Sequence, residues 1–114
     1  MTDTPPADSA SAPSIDSATR RRLRRIAHHL DPIILLGDAG ATEGVIAETQ
    51  RALSDHELIK VRVAAMDRAD RKQVIQQLAA ACAATVVQEI GRVAVLYRAN
   101  PKAEPRLSNV VRFT

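Results

Sequence analysis

The stretch IILLGDAGATEGVIAETQRALSDHELIKVRVAA, residues 33–65, places a strand, a glycine-rich bend, a helix and a second strand in succession. Its opening run IILL (33–36) is short, apolar and partly β-branched, which predicts a buried strand. After the bend, apolar or small residues at positions 45, 46, 49, 52 and 53 share one helical face, and Thr42 is placed to cap that helix. In LIKVRVAA (58–65), apolar residues alternate with Lys60 and Arg62, which predicts a strand with one buried face. The stretch therefore predicts a β-α-β unit.

The flanking segments extend this unit on both sides. Apolar residues at positions 23, 26, 27 and 30 predict a helix, which Ser17 or Thr19 could cap and which Asp31-Pro32 should end. Asp67 or Asp70 should open a third helix, whose buried stripe lies at positions 74, 75, 78 and 82. The runs TVVQEI (85–90) and VAVLYR (93–98) surround a glycine and predict a hairpin. The predicted order is α-β-α-β-α-β-β, an α/β fold with a four-stranded mixed sheet packed by helices.

The two ends of the chain differ from this pattern. Residues 1–18 are rich in Ser, Ala, Pro and Asp, which predicts a disordered acidic tail before a folded domain at residues 19–98. Residues 99–114 contain two prolines and no clear period. They predict an extended C-terminal extension, in which VVRF (110–113) could dock onto the domain.

Charge is distributed unevenly along the chain. The first 19 residues hold three acids and no base, so the rest carries 16 Lys and Arg against 10 acids, a formal charge of +6. This balance favours a polyanionic partner such as nucleic acid or an acidic membrane, although solubility alone would explain it equally well. The aromatic residues are only Tyr97 and Phe113. Base stacking on an aromatic platform is therefore disfavoured, and a bound nucleic acid should be held by its backbone.

Other chemistries lack their signatures in the sequence. The single cysteine, Cys82, excludes an internal disulfide, and the three histidines do not have the spacing of a metal site. No apolar stretch is long enough to cross a bilayer, and the polar N-terminal segment is unlike a secretory signal. We therefore expect a cytoplasmic monomer with no catalytic residues, no metal, no small-molecule cofactor and no membrane partner.

The glycine-rich bend, GDAGATEG (37–44), differs from two known kinds of phosphate-binding loop. No glycine is followed by lysine, as in a Walker A loop, and the glycine spacing does not fit the dinucleotide fingerprint. Residues 37–40 do fit G-x-x-G before a helix N-terminus, where absent side chains and free amides can receive a phosphodiester, as in KH domains. The four residues are also typical of a plain strand-to-helix turn, and the carboxylate of Asp38 favours that interpretation.

Basic residues surround this bend. The run RRRLRR (20–25) places five arginines on the first helix, and Lys60 and Arg62 lie on the polar face of a strand. Arginine forks fit phosphate oxygens, although charge runs of this kind are often only solvated surface. The candidate RNA-binding residues are Arg21, Arg24, Arg25, His28, Gly37, Asp38, Ala39, Gly40, Thr42, Lys60 and Arg62.

Several motifs together resemble one known family. LRRIAHHLDPIILLGDAGATEGVIAETQRALSDHELIKVRV (23–63) is similar to the opening of the CRM domain (chloroplast RNA splicing and ribosome maturation), and most similar to its bacterial YhbY-like members. VQEIGRVAVLYR (87–98) resembles the closing hairpin of that family. The resemblance implies a fold related to the C-terminal domain of translation initiation factor 3, RNA binding, and association with precursors of the large ribosomal subunit. Within it, Gly37 and Gly40 match the loop glycines, Arg24 and Arg25 lie on the basic first helix, and Lys60 lies in HELIKV.

We therefore expect an RNA-binding protein that associates with ribosomal RNA or large-subunit precursors and assists ribosome assembly. It would grip the RNA backbone with the GxxG loop and the basic first helix. The alternative is a protein-interaction module that binds a ribosomal protein or assembly factor through the sheet or VVRF, without direct RNA contact. An enzyme acting on nucleotides is disfavoured, because a phosphate lysine, an acid pair for metal and an evident nucleophile are all lacking.

Overall fold

A computed structural model describes residues 15–113, in which helices and strands alternate in the predicted order. The helices are α1 (Ser17–Ala27), α2 (Glu43–His56), α3 (Arg68–Ala81) and α4 (Asn109–Arg112). The strands are β1 (Pro32–Leu36), β2 (Leu58–Val63), β3 (Thr85–Ile90) and β4 (Val93–Tyr97). The predicted order is confirmed, and the short helix α4 follows it.

The four strands form one mixed sheet in the order β1-β2-β4-β3. Strands β1 and β2 are parallel and joined by α2, whereas the other two neighbouring pairs are antiparallel. The Ala64 N–H donates to the carbonyl of Leu36 (2.8 Å), and the Val63 N–H donates to the carbonyl of Arg92 (2.7 Å). The ends of β1 and β2 and the β3–β4 turn therefore lie together, at what we call the loop end of the sheet.

Two apolar clusters cover opposite faces of the sheet. The larger cluster joins α2 and α3 to alternate residues of β2, including Val61 and Val63. The smaller cluster lies between α1 and the other face, where Leu23 and Ile26 meet Leu58. Because side chains alternate along a strand, Lys60 and Arg62 project on the face that α1 covers. Helix α1 covers only part of this face, since three large apolar side chains on it stay exposed: Ile33, Leu35 and Ile90.

The start of α1 differs from the prediction. The cap is neither Ser17 nor Thr19 but Asp16, whose carboxylate accepts from the Thr19 N–H at 2.7 Å. Ile15 packs against the smaller cluster, which fixes the chain just before the helix. The helix begins at Ser17, inside the segment predicted to be a tail, and residues 1–14 of that segment lie outside the described residues.

The end of α1 also differs from the prediction. Regular helix stops at Ala27, and the chain continues in a tighter turn before Pro32 instead of reaching Asp31. The His29 N–H donates to the carbonyl of Ile26, and the Leu30 N–H donates to that of Ala27, each at 3.0 Å. This turn brings Leu30 against the smaller cluster. The apolar spacing in the sequence therefore continues one turn past the end of the α-helix. The reason is that the i→i−3 hydrogen bonds of this turn keep Leu30 on the same side as the buried residues of α1.

The C-terminal extension is not extended, so that prediction was wrong. It forms turns and then α4, which packs against α1 and β2. The buried Ser108 hydroxyl donates to Glu57 Oε1 (3.0 Å), and the Asn100 N–H donates to Glu57 Oε2 (3.2 Å). The Asn109 side chain donates to the carbonyl of Leu58 (2.7 Å). These long-range bonds fold the segment back, and Val110 of VVRF packs on the smaller cluster as the docking prediction requires.

The cap of α1 should make stability depend on pH. The backbone hydrogen bond from Thr19 lowers the pKa of Asp16, so this stabilisation is present above the unfolded pKa and lost as pH falls through the folded pKa. Asparagine is as good a helix cap as aspartate, but its side chain does not titrate. We expect the Asp16→Asn variant to have the same free energy of unfolding as the wild type at neutral pH. Below about pH 4, the free energy of unfolding of the variant should be the higher of the two. Urea unfolding at both pH values checks this, and an equal difference at both would contradict it.

Candidate functional site

The loop at residues 37–42 joins β1 to α2 as a tight hydrogen-bonded turn. The Gly40 N–H donates to the carbonyl of Gly37 at 3.0 Å, and Gly40 has a φ of +76°, which glycine adopts without strain. The Thr42 N–H donates to the carbonyl of Gly40 at 2.9 Å, and Thr42 Oγ1 accepts from the Val45 N–H at 3.2 Å. The predicted cap of α2 at Thr42 is confirmed.

The loop presents free donors on an open side. Within residues 15–113, no hydrogen bond engages the backbone N–H groups of Asp38, Ala39, Glu43 and Gly44. A Cβ built on Gly37 or Gly44 would meet nothing within 4 Å, so a ligand could approach the backbone there. The Asp38 and Glu43 side chains are both exposed. The loop therefore combines amides that attract an anion with two carboxylates that repel it.

A line of basic side chains leads from α1 to this loop, and we call it the basic column: Arg24, His28, Lys60 and Arg62. Its first three members line one cavity of about 330 Å³ between α1 and the sheet. Arg62 lies two residues beyond Lys60 on the same strand face, about 7 Å further along. Two residues beyond Arg62, Ala64 is hydrogen-bonded to the residue that precedes Gly37. The column therefore ends beside the glycine loop.

The other arginines of α1 point in different directions. Arg21 is exposed and lies three residues before Arg24, on the same side of the helix as the column. Arg25 instead lines a cavity on the far side of α1, beside Phe113. The guanidinium of Arg20 donates to the carbonyls of Val86 (3.1 Å) and Val87 (2.7 Å) in β3. Arg20 thus binds the helix to the sheet, and Arg24 is the arginine of the RRRLRR run that lines the cavity of the column.

A second basic group lies at the loop end of the sheet, and the sequence reasoning missed it. Arg68, Arg71 and Lys72 of α3 line a cavity of about 390 Å³ together with Glu89 and Gly91. Helix α3 also abuts the loop, since a Cβ on Gly40 would lie 3.7 Å from Val74 Cγ1. The three bases have i, i+3, i+4 spacing, which predicts one helical face. That spacing was the feature of the sequence from which this second basic group could have been predicted.

The remaining candidate groups have structural surroundings. His56 Nδ1 lies 2.8 Å from the carbonyl of Leu107, at the end of α2. Cys82 is buried, and this burial raises the pKa of its thiol while the positive charge of Arg98 opposes the shift. In the part of the chain that the structure describes, no three His, Cys, Asp or Glu side chains gather as metal ligands would. Nor does that part contain a helix long and apolar enough to span a membrane.

Comparison with known proteins identifies the family of this basic α/β domain. The CRS1/YhbY (CRM) domain model matches residues 15–98. A "Probable RNA-binding protein" of Pseudomonas aeruginosa is 46% identical over 94 residues, which cover 82% of this chain and 90% of that protein. An "RNA-binding protein" of Haemophilus influenzae is 42% identical over 94 residues, which cover 82% and 95%. The chain therefore belongs to the CRS1/YhbY (CRM) domain family, as the motifs indicated.

The fold is also shared with a solved structure. The solution structure of a hypothetical protein from Staphylococcus aureus superposes with a TM-score of 0.70 at 33% identity. The match covers 80% of this chain and 95% of that one. The four-stranded mixed sheet packed by helices is thus found in a separately determined structure.

Proposed function

We propose that this chain is a non-catalytic RNA-binding protein that associates with ribosomal RNA in precursors of the large subunit and assists ribosome assembly in the cytoplasm. Its relatives in Pseudomonas aeruginosa and Haemophilus influenzae are named as RNA-binding proteins, which supports RNA as the ligand. The observation that carries the proposal is the basic column, which runs along one sheet face and ends at the GxxG loop. Ribosomal RNA as the particular ligand rests on the family resemblance.

The column is suited to holding a sugar–phosphate backbone. Lys60 and Arg62 are spaced by about 7 Å, which is comparable to the separation of neighbouring phosphates in a nucleic-acid strand. Arg24 can bind phosphate oxygens with two parallel N–H groups, whereas Lys60 acts as a point charge. The free amides of the loop would receive a further phosphate beyond Arg62. None of these groups reads a base edge, so contacts along the column should bind RNA without strong sequence preference.

The strength of binding should depend steeply on salt. If the column and loop contact about four to six phosphates, log affinity should fall against log salt concentration with a slope of roughly −3 to −5. Filter binding of the purified protein to a large-subunit ribosomal RNA transcript, at several salt concentrations, measures this slope. An affinity that does not change with salt would exclude backbone contacts as the main source of binding.

The link to ribosome assembly needs a measurement in cells. We expect the tagged protein to co-sediment with large-subunit precursors in a sucrose gradient, and to leave these fractions after mild RNase treatment of the lysate. The Arg24→Gln/Lys60→Gln variant, which lacks two charges of the column, should be depleted from the same fractions. Co-sedimentation of that variant at the wild-type level would contradict RNA binding through the column.

Charge changes in the loop should alter RNA affinity in both directions. Ala39 is exposed, so Ala39→Glu adds a second carboxylate beside Asp38 and should weaken RNA binding about fivefold, whereas Asp38→Asn should strengthen it to a similar extent. Both changes are at the surface, so the free energy of unfolding should change by less than about 0.5 kcal/mol. Titration of each variant with the same RNA transcript checks the prediction. Equal affinities for both variants would show that RNA does not approach the loop.

One observation favours a protein partner as the second candidate. Strand β1 is an edge of the sheet, and its Ile33 and Leu35 side chains are 48% and 63% exposed. Exposed apolar residues on an edge strand can pair with another protein. A ribosomal protein or assembly factor bound there would be retained after RNase treatment and released by Leu35→Lys. RNA binding through the column predicts instead that RNase releases the protein from the particles and that Leu35→Lys leaves it bound.

A further inference from the structure

A cavity on the far side of α1 combines an aromatic ring with basic side chains. It has a volume of about 440 Å³, and the residues that line it are Arg22, Arg25, Ile26, His29 and Phe113. Phe113 is 41% exposed, and its ring lies nearly parallel to that of His29, with 7° between the planes and 6.3 Å between the centroids. The Arg112 guanidinium carbon lies 5.4 Å from the Phe113 centroid. We call this cavity the terminal aromatic site.

The position of Phe113 is fixed by contacts far back in the chain. The Ser108 hydroxyl caps α4 by accepting from the Val111 N–H, and it donates to the buried carboxylate of Glu57. The Asn109 side chain donates to the carbonyl of Leu58, at the start of β2. These bonds hold α4 against α1 and set Phe113 beside His29. All of α4 lies beyond residue 98, where the match to the family ends.

The chemistry of the terminal aromatic site fits one class of ligand. None of the described residues that line it is acidic, and Arg25 is exposed at its rim. A planar ring flanked by guanidinium groups can receive a second planar ring by stacking and an anion by hydrogen bonding. A nucleotide carries both a flat base and a phosphate, whereas an acidic peptide carries only the anion and an apolar peptide gains nothing from the arginines.

We propose that the terminal aromatic site binds an unpaired nucleotide of RNA, with the base stacked on Phe113 and the adjoining phosphate held by Arg25. The inference rests on the proposed RNA binding and extends it from the backbone to a single-stranded base. Consecutive helical residues point about 100° apart, so Arg24 serves the basic column while Arg25 serves this site. A strand that crosses the exposed surface of α1 could therefore contact both.

The test compares single-stranded and duplex RNA. The full-length protein is titrated with a 12-nucleotide unstructured RNA and with a 12-base-pair RNA duplex. Loss of one stacked base typically weakens binding at least fivefold, so Phe113→Leu should weaken binding of the single strand by at least that factor. Binding of the duplex should not change, because its bases are already stacked on one another. Phe113→Tyr should restore single-strand binding. If the wild type binds neither RNA, the proposed function fails; if it binds and Phe113→Leu changes nothing, only this inference fails.

A second variant separates stacking from loss of structure. The chain contains no tryptophan, so Phe113→Trp places a single fluorescent reporter in the site. We expect the single strand to quench its emission at the same concentrations that saturate binding, and we expect little quenching by the duplex. Emission that stays constant while the single strand binds would overturn the proposal, even if Phe113→Leu proved unstable.

Discussion

The double substitution Arg24→Gln/Lys60→Gln is expected to weaken binding to a ribosomal RNA transcript roughly 25-fold near physiological salt. Both side chains line the cavity at the start of the basic column, and each lost charge–phosphate contact removes about 1 kcal/mol in a water-like medium. The slope of log affinity against log salt should become less negative by about 1.5, because two fewer counterions are released. Filter binding across a salt series measures both quantities. All RNAs should be affected alike.

The control for this pair is a second pair with the same change in charge. Arg51 lies on the exposed side of α2, and Lys102 lies in the C-terminal extension, both outside the column. Arg51→Gln/Lys102→Gln should reduce affinity by less than about twofold, since neither side chain lines the cavity of the column and solvent and salt weaken the effect of exposed charges that do not contact the RNA. If both pairs weaken binding equally, net charge and not the column would determine affinity.

The second large effect is expected at Glu57, where removal of the carboxylate should destabilise the fold. Glu57 is 8% exposed and accepts hydrogen bonds from the Ser108 hydroxyl and the Asn100 N–H. Glu57→Ala leaves both donors without their acceptor, and we expect a loss of about 2–4 kcal/mol in the free energy of unfolding. Denaturant unfolding measures this loss. Limited trypsin digestion should also cut faster after Lys102 and Arg106, because the extension is released.

Two comparisons isolate the cause of that loss. Glu89→Ala removes an exposed carboxylate and should change the free energy of unfolding by less than about 0.5 kcal/mol. Burial raises the pKa of Tyr97, and the negative charge of Glu57 raises it further. Since Tyr97 is the only tyrosine, ultraviolet titration of Glu57→Gln should show a lower tyrosine pKa than the wild type. An unchanged tyrosine pKa would mean that Glu57 carries no charge near Tyr97.

Local pattern was enough to predict the central part of the fold. The alternation in LIKVRV, the apolar run IILL and the helical spacing between them each depend on neighbours within one element, and the structure confirms the two strands and the helix. The prediction that IILL is a buried strand was wrong for one face, because α1 covers only part of that face and leaves Ile33 and Leu35 exposed. The hairpin was likewise predictable, since Gly91 adopts a φ of +56° in the turn. These segments have buried faces that fix their register, so periodicity in the sequence was sufficient.

The ends of the domain depend on contacts that local pattern does not contain. Helix α4 follows two prolines and has only four residues, and it is held by Ser108 and Asn109 bonding to residues 51 positions away. Glu57 accepts one of these hydrogen bonds, but the local sequence does not distinguish it from an ordinary exposed acid after a helix. At α1, Asp16, Ser17 and Thr19 are all capping residues, and the choice of Asp16 follows where Ile15 packs.

The candidate site was predictable in its residue types and less so in its geometry. Lys60 and Arg62 follow from strand alternation, and both lie in the column with Arg24 and His28. The run RRRLRR surrounds the apolar stripe, so spacing alone could not show that Arg20 bonds to β3 or that Arg25 faces Phe113. Those directions depend on how α1 lies across the sheet. The scarcity of aromatic residues likewise concealed that Phe113 is placed beside His29.

The most direct test of the account is nuclear magnetic resonance, which suits a chain of 12.3 kDa. Backbone amide signals are followed while an unlabelled ribosomal RNA fragment is added at low salt. We predict the largest shifts at residues 37–44, at Lys60 and Arg62, and along the Arg24 side of α1. Shifts confined to the outer surfaces of α2 and α3, with the glycine loop and the basic column unchanged, would contradict backbone binding at this face.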